Sequence, residues 1–185
     1  MKYPFKLPHT ITNINGEELT FYSIVEEDGV EKILVKNKIA PKAGPPFHVH
    51  FKQDESLTVK KGKMRYQIAG KPEQYLTEGE SVVFPKGQMH RFWNAGDDIM
   101  ECEGWVKPAN SLDYFLTGIY NSMNKAGKPE GNPFDSAYLI TRYKSEYDLK
   151  DIPPFVKKVI FPIIVVVGKL LGKYKHFKNA PLPIK

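Results

Sequence analysis

Short runs of alternating apolar and polar residues occupy the first part of the chain, up to about residue 107. Side chains of a strand point alternately to its two faces, so this alternation predicts β-strands. Two such runs in the segment 18–39 flank Asp28-Gly29, a pair that favours a tight hairpin turn. Further strands are predicted at about 46–51, 55–60, 63–69, 74–76, 81–84, 89–94 and 99–106. Many short strands, without an internal repeat of fixed length, indicate one all-β sandwich or barrel.

Helical periodicity replaces this pattern in the rest of the chain. Apolar residues recur at steps of three and four between Leu112 and Met123, which is the spacing of one helix face. Asn110 or Ser111 can cap the start of this helix, and Gly127 is typical of a helix end. We therefore predict a helix that begins after Ser111 and ends before Gly127.

A second helix is predicted near residues 134–147. Asn132 is a suitable capping residue, and Pro133 suits the first helical position because it needs no N–H partner there. The change of pattern divides the chain into two parts. Residues 1–107 are expected to form a β-barrel with N-terminal strands, and residues 108–185 a helical extension that packs on the barrel or on a partner.

The third segment of the extension is unusually apolar. Residues 159–167 contain no charged or polar side chain, although Pro162 interrupts them. A stretch of this length is short of the roughly 20 residues that span a bilayer. A helix that is apolar on every side must lie against something apolar. Three interpretations stay open: docking onto the barrel or a dimer partner, peripheral attachment to an anionic membrane, and a transmembrane anchor.

The net positive charge of the chain comes from its last part. The formal net charge is +6, yet residues 1–151 hold 20 basic and 21 acidic side chains, a net of −1. No acidic residue follows Asp151, whereas seven lysines do: Lys157, Lys158, Lys169, Lys173, Lys175, Lys178 and Lys185. The basic character therefore does not indicate a nucleic-acid partner for the barrel.

Cysteine content and the first residues bear on the cellular compartment. Cys102 is the single cysteine, which excludes an intramolecular disulfide and suits a reducing compartment. The opening sequence MKYPFKLPHT has no apolar core of signal-peptide length. We expect a cytoplasmic protein, with membrane association as the alternative that the apolar segment raises.

Candidate metal ligands are concentrated in two short segments of the β-rich part. His48 and His50 are separated by one residue, so in a strand both imidazoles point to one side. Glu55 follows closely, and His90 lies in the second segment. Asp54 is a rival carboxylate, but neighbouring strand residues face opposite ways, and we favour Glu55. Imidazole nitrogens with one carboxylate suit a divalent transition metal such as iron, manganese, zinc or nickel, and not calcium or magnesium.

The spacing of these two segments resembles the two sequence motifs of the cupin superfamily. The first motif matches His48, His50, Glu55 and Gly62, and the second matches Gly79, Pro85, Gly87, His90 and Asn94. One departure is Lys42, which stands where the first motif usually has glycine. The resemblance covers roughly residues 20–107. It implies a cupin-type jelly-roll barrel, one metal ion held by the two motifs, and pairing of the barrel into a homodimer.

The resemblance also limits the function. Metal-binding cupins include dioxygenases, and four protein ligands leave about two positions free on a six-coordinate metal. We therefore expect a dioxygenase-like oxidoreductase acting on a small molecule at the metal; the alternative is a non-catalytic protein that binds a metal and a small ligand. No catalytic side chain beyond the ligands is identified. Six aromatic residues near the motifs favour either core packing of the barrel wall or a pocket for an aromatic or planar substrate: Phe47, Phe51, Tyr66, Phe84, Phe92 and Trp93.

The ligand histidines need hydrogen-bond partners that fix their ring nitrogens. Ligating histidines usually donate the second ring N–H to a carboxylate, a carbonyl or water. Gln53, Asp54 and Gln67 are the side chains available for this role in the two segments. We expect one of them to serve, with backbone or water as the alternative.

Overall fold

Two antiparallel sheets make up the β-rich part of the computed structural model, which describes residues 4–184. The strands are β1 (His9–Thr12), β2 (Glu17–Glu27), β3 (Val30–Ile39), β4 (His48–His50), β5 (Asp54–Lys61), β6 (Met64–Ile68), β7 (Gln74–Leu76), β8 (Ser81–Phe84), β9 (His90–Asn94), β10 (Met100–Lys107) and β11 (Tyr147–Leu149). The first sheet has the order β1-β2-β3-β10-β5-β8 and the second β11-β4-β9-β6-β7. The predicted hairpin is confirmed: β2 pairs with β3, and Asp28 and Gly29 both have positive φ.

The barrel is not closed. In the part of the chain that the structure describes, no backbone pairing joins the first sheet to the second, and each sheet keeps two edge strands. The prediction of a jelly-roll barrel is therefore corrected to two facing sheets of a β-rich cupin-like fold. Apolar side chains fill the space between the sheets: Ile39, Leu57, Val59, Met64, Tyr66, Leu76, Phe84, Phe92, Met100 and Cys102.

The loop before β4 is shaped by two unusual backbone positions. Lys42 has a φ of 66°, in the left-handed region, at the position where the first motif usually has glycine. The lysine thus adopts the conformation that glycine adopts more easily. At Gly44 (φ 155°), a Cβ would lie 2.1 Å from the carbonyl oxygen of Phe92. Close approach of this loop to β9 therefore requires a glycine at position 44.

Helices α1 (Leu112–Ala126) and α2 (Pro133–Arg142) follow the strands. Gly127 ends α1 in the left-handed conformation, as predicted. The side chain of Asn132 caps α2 by accepting hydrogen bonds from the N–H groups of Phe134 and Asp135. The predicted end of α2 at 147 is wrong. Residues 147–149 instead form β11, because pairing with β4 satisfies their backbone groups.

The helices share one hydrophobic cluster with the first sheet. Side chains of β1, β2 and β3 contact those of α1 and α2, together with Phe177 near the C-terminus. The buried members are Ile11, Leu19, Phe21, Ile33, Val35, Val106, Ala109, Leu112, Tyr114, Phe115, Tyr120, Met123, Leu139, Tyr143, Tyr147 and Phe177. The helical extension thus packs on one face of the first sheet, against the strands β1, β2 and β3. Residues 1–3 and 185, at the ends of the two proposed domains, lie outside the described residues.

The apolar third segment forms a helix that is only partly covered. A π-helical part, Val156–Ile160, continues into α3 (Phe161–Leu170), and we call residues 156–170 the C-terminal helix. One side packs on α2, and Gly168 is buried beside Tyr174, which follows the helix in the chain. The other side is open: Ile163 and Val166 are 56% and 58% exposed. Within residues 4–184, no helix is long and apolar enough to cross a membrane.

Candidate metal centre

The predicted ligands come from both sheets and meet between them. His48 and His50 lie on β4, and His90 lies on the neighbouring strand β9, where it is the direct partner of His48. Glu55 lies on β5 in the opposite sheet. The alternation of strand side chains turns these four residues toward one another, so the two sequence motifs converge at one point.

All three histidines present Nε2 to a single carboxylate oxygen. The distances from Glu55 Oε2 are 3.1 Å to His90, 3.5 Å to His50 and 3.7 Å to His48. The candidate ligand atoms of His48, Glu55 and His90 lie within 4.8 Å of one another. The structure therefore contains a group of histidines and a glutamate that could hold a metal ion.

Backbone carbonyls fix the tautomers of two of the histidines. Nδ1 of His48 is 2.9 Å from the carbonyl oxygen of Pro46, and Nδ1 of His90 is 2.8 Å from that of Gln88. A carbonyl oxygen can only accept, so Nδ1 carries the hydrogen in both rings. Each neutral ring then has its lone pair on Nε2, which faces Glu55. Lone pairs that face a carboxylate require a proton or a metal ion between them, and this donor set suits a transition metal.

The side chains expected to orient the histidines are engaged elsewhere, which corrects that prediction. Gln53 donates to Glu146 and to the hydroxyl of Tyr147. Asp54 accepts from the backbone N–H of Lys86, on the side away from the histidines, as expected for the neighbour of Glu55. Gln67 contacts Arg91 and the carbonyl of Lys71. The backbone alternative applies because the chain turns before β4 and β9 bring carbonyl groups next to the rings.

The pKa values of Glu55, His48 and His50 are shifted by burial and by their mutual contacts. Burial alone would raise the pKa of Glu55, but hydrogen bonds to His48 and His90 outweigh burial and lower that pKa well below its usual value. Burial would lower the pKa of His48, whereas the hydrogen bond and charge of Glu55 raise it above 6.5. Burial lowers the pKa of His50 to about 3, so this ring stays neutral. As pH falls, His48 is protonated before His50, and protons then compete with a metal for its Nε2.

Aromatic rings pack against two of the histidines, His90 and His50. Phe84 stacks on His90 with the ring centroids 3.9 Å apart and the planes nearly parallel. Tyr147, on β11, lies edge-on to His50 at 5.3 Å. These contacts restrict rotation of the two imidazole rings. The contact from Tyr147 shows that part of the C-terminal extension packs beside β4, the strand that carries His48 and His50. This contact was not predicted, because residue 147 was expected to end a helix.

A cavity of about 390 Å³ opens beside His48, His50 and Glu55. Of the six aromatic residues proposed to form a pocket, Phe92 alone is among the described lining residues, and that part of the prediction is corrected. Phe47 instead packs against Arg91, and Phe51 is 42% exposed. The apolar wall comes mainly from α1, through Leu112, Phe115, Leu116, Ile119 and Met123. The helical extension thus forms one side of the candidate site.

A family comparison agrees with this geometry. The model of the cupin domain matches residues 37–106, which include all four candidate ligands. The chain contains a cupin domain. Residues 1–36 and 107–185 lie outside that match. They supply β1, β2, most of β3 and the helical wall of the cavity, so part of the surroundings of the cupin site is built by residues that the family model does not cover.

Curated relatives of this cupin chain include two fungal oxidoreductases. The probable oxidoreductase virH of Hypocrea virens is 27% identical over 111 residues, which are 54% of this chain and 49% of the relative. The oxidoreductase iacF of Pestalotiopsis fici is 32% identical over 77 residues, or 40% of this chain and 37% of the relative. The chain therefore spans about half or less of the length of these relatives.

One solved structure is similar to part of this chain. An uncharacterized conserved protein with a double-stranded beta-helix domain from Klebsiella pneumoniae superposes with a TM-score of 0.41 and 25% identity. The match covers 48% of this chain and 76% of that protein.

Proposed function

We propose that this cupin is a metal-dependent oxidoreductase of the dioxygenase type that acts on a small molecule in the cavity. The observation that carries the proposal is the convergence of three imidazole Nε2 atoms on one carboxylate at the edge of an apolar cavity. The names of two relatives, both oxidoreductases, agree with the reaction class. Four protein ligands leave about two positions free on a six-coordinate metal, enough for a substrate and dioxygen.

A redox-active metal bound there would supply the electron transfer and Lewis acidity that dioxygen chemistry needs. In a dioxygenase reaction both oxygen atoms enter the organic product, so the substrate provides the four electrons and no further reductant is needed. The chain's own residues have three tasks. Carbonyls of Pro46 and Gln88 hold the rings of His48 and His90, Glu55 balances the positive charge, and the α1 wall keeps water from the reacting groups.

Dioxygen consumption tests the reaction class. We expect the iron(II)-loaded protein to consume dioxygen with at least one catechol-type or diketone-type compound, as followed by an oxygen electrode and by mass spectrometry of the product. Incorporation of both atoms of ¹⁸O-labelled dioxygen is the expected result. The zinc-loaded protein is the matched control, because zinc has no redox chemistry and should consume none. Tight binding of these compounds without dioxygen uptake would favour the non-catalytic binding protein instead.

A second proposal concerns attachment of the protein to an anionic membrane surface through the C-terminal helix. Its open face carries Ile163, Val166 and Leu170, which are 56–82% exposed, and Phe155, just before the helix, is 64% exposed. Lys157, Lys158 and Lys169 lie in this helix, and Lys173, Lys175 and Lys178 follow it. Among these six described lysines, Lys157 alone has its ammonium group within hydrogen-bond distance of an acid, Asp148. Two copies meeting here would bring like charges together, whereas anionic lipid headgroups complement them. The face therefore fits a lipid surface better than a second copy of the chain.

Sedimentation with liposomes tests this attachment. The protein is expected to sediment with phosphatidylserine-containing vesicles, to be released by salt, and not to sediment with phosphatidylcholine alone. Ile163→Asp with Val166→Asp should abolish binding, because both side chains lie on the open face. Val83→Asp, at an equally exposed position on β8, is the matched control and should bind as the wild type does. A wild-type protein that stays in the supernatant and forms a dimer sensitive to the helix substitutions would favour the homodimer instead.

A further inference from the structure

A second buried carboxylate, outside the cupin motifs, lines the same cavity. Glu17 begins β2 and is 9% exposed. Its Oε1 accepts a hydrogen bond of 2.9 Å from the amide of Asn13, and its Oε2 one of 3.1 Å from the hydroxyl of Tyr120 on α1. Glu17, Asn13 and Tyr120 all line the cavity. None of them belongs to the cupin motifs, and the family match does not cover them.

This carboxyl group retains unused hydrogen-bonding capacity. A carboxylate has about four lone-pair positions, and Asn13 and Tyr120 occupy two of them. Within residues 4–184, no lysine, arginine or histidine lies at ion-pair distance from Glu17. Burial is the main influence on the group and raises its pKa. A polar ligand group that both donates and accepts hydrogen bonds, such as a hydroxyl, suits this carboxyl in either protonation state.

The rest of the cavity wall disfavours anions. No lysine or arginine is among the described residues that line it, and most of the wall is aliphatic or aromatic. Its other acids are Glu55, at the candidate metal site, and Asp148, which is paired with Lys157. A negatively charged ligand group placed away from the metal would meet carboxylates and no counter-charge. The volume of about 390 Å³ falls in the usual range of cavities that bind small molecules.

We infer that the cavity binds an uncharged, mainly apolar molecule whose hydroxyl group is hydrogen-bonded by Glu17, with Tyr120 and Asn13 holding the carboxyl group in place. The inference rests on the proposed function only in taking the ligand as the substrate; the binding itself needs no metal chemistry. Glu17 is thus a specificity-determining residue on the wall that the N-terminal strands and α1 build around the cupin site.

Binding of three matched naphthalene probes tests this inference on the full-length protein. The probes are 2-naphthol, 2-methoxynaphthalene, which lacks the donor, and 2-naphthoate, which is an anion. Isothermal titration calorimetry should show 2-naphthol binding at least about tenfold more tightly than the ether or the acid, since one hydrogen bond to a buried polar group has about that effect.

Substitution of Glu17 should remove the selectivity. In the double variant Glu17→Leu, Tyr120→Phe, the ether should bind as well as 2-naphthol; the Tyr120 substitution avoids an unpaired hydroxyl. Glu17→Gln, the more conservative variant, should reduce 2-naphthol binding by about tenfold and keep the metal content of the wild type. Glu18→Gln is the matched control: Glu18 is the next residue on β2 but faces outward and pairs with Lys38.

Three results would overturn the inference: no binding of 2-naphthol to the wild type, tighter binding of 2-naphthoate, or unchanged selectivity in Glu17→Gln and in the double variant. Failure of the proposed function is recognised separately. If the protein holds no metal but still prefers 2-naphthol through Glu17, the cavity inference stands and the oxidoreductase proposal fails.

Discussion

Replacing Glu146 with alanine is expected to destabilise the protein by about 3–5 kcal/mol. This carboxyl group is fully buried and joins three parts of the chain. It accepts hydrogen bonds from Gln53 after β4, from Ser111 before α1, and from the backbone N–H of Ile184 near the C-terminus. Alanine would remove the acceptor of the buried Ser111 hydroxyl, one of the two acceptors of the buried Gln53 amide, and the acceptor of the Ile184 N–H at the surface. Urea unfolding followed by circular dichroism measures the effect as a lower midpoint.

Two further variants serve as comparisons for Glu146→Ala. Glu146→Gln keeps one acceptor oxygen in nearly the same shape, so its loss of stability should be smaller than that of Glu146→Ala. Glu130→Ala removes an exposed glutamate from the linker before α2 and should change the unfolding free energy by less than about 0.5 kcal/mol. An effect of Glu146→Ala as small as that of Glu130→Ala would show that the three contacts do not hold the helical extension to the sheets.

The second large effect is expected on metal content. The variant His48→Ala, His50→Ala removes two of four candidate ligands. Loss of a residue that only hydrogen-bonds to a ligand lowers metal affinity about 10–100-fold. We therefore expect the loss of two ligands to lower the affinity for a divalent transition metal more than about 100-fold. The fold should persist, because the apolar cluster between the sheets does not include these rings. Elemental analysis and circular dichroism measure the two quantities.

A matched histidine variant distinguishes ligand loss from a general effect of removing imidazole. His176→Ala changes a half-exposed histidine that pairs with Asp135, far along the chain from the cupin motifs. It should retain the metal content of the wild type. Stoichiometric metal in a folded His48→Ala, His50→Ala variant would contradict the assignment of these residues.

Local sequence patterns determined much of the fold. The strands from β2 to β10 follow the alternation of apolar residues, and Asn132 and Gly127 marked helix boundaries through their own chemistry. β1 and β11 could not be found in this way. Each has only three or four residues, and β11 exists because β4 offers it a pairing edge across almost a hundred residues of sequence. Such pairings depend on tertiary structure, which local periodicity does not encode.

The candidate site was predictable where motif spacing defines it and not where the rest of the chain completes it. His48, His50, Glu55 and His90 converge as strand geometry requires. The helical wall of the cavity and the return of Tyr147 to His50 depend on how α1 and α2 pack on the first sheet. The inward orientation of Glu17 was predictable from the sequence. Glu17, Leu19 and Phe21 are alternate residues of β2 and point to the same face, so a charged residue lies in line with two buried apolar ones.

Elemental analysis of the full-length protein, purified without a metal-affinity tag, tests the central claim most directly. Our account predicts one equivalent of a divalent transition metal per chain, and iron, manganese, zinc or nickel would each be compatible with the donor set. The claim would be contradicted by folded protein that contains no such metal and retains none after equilibration with each of the four ions in turn.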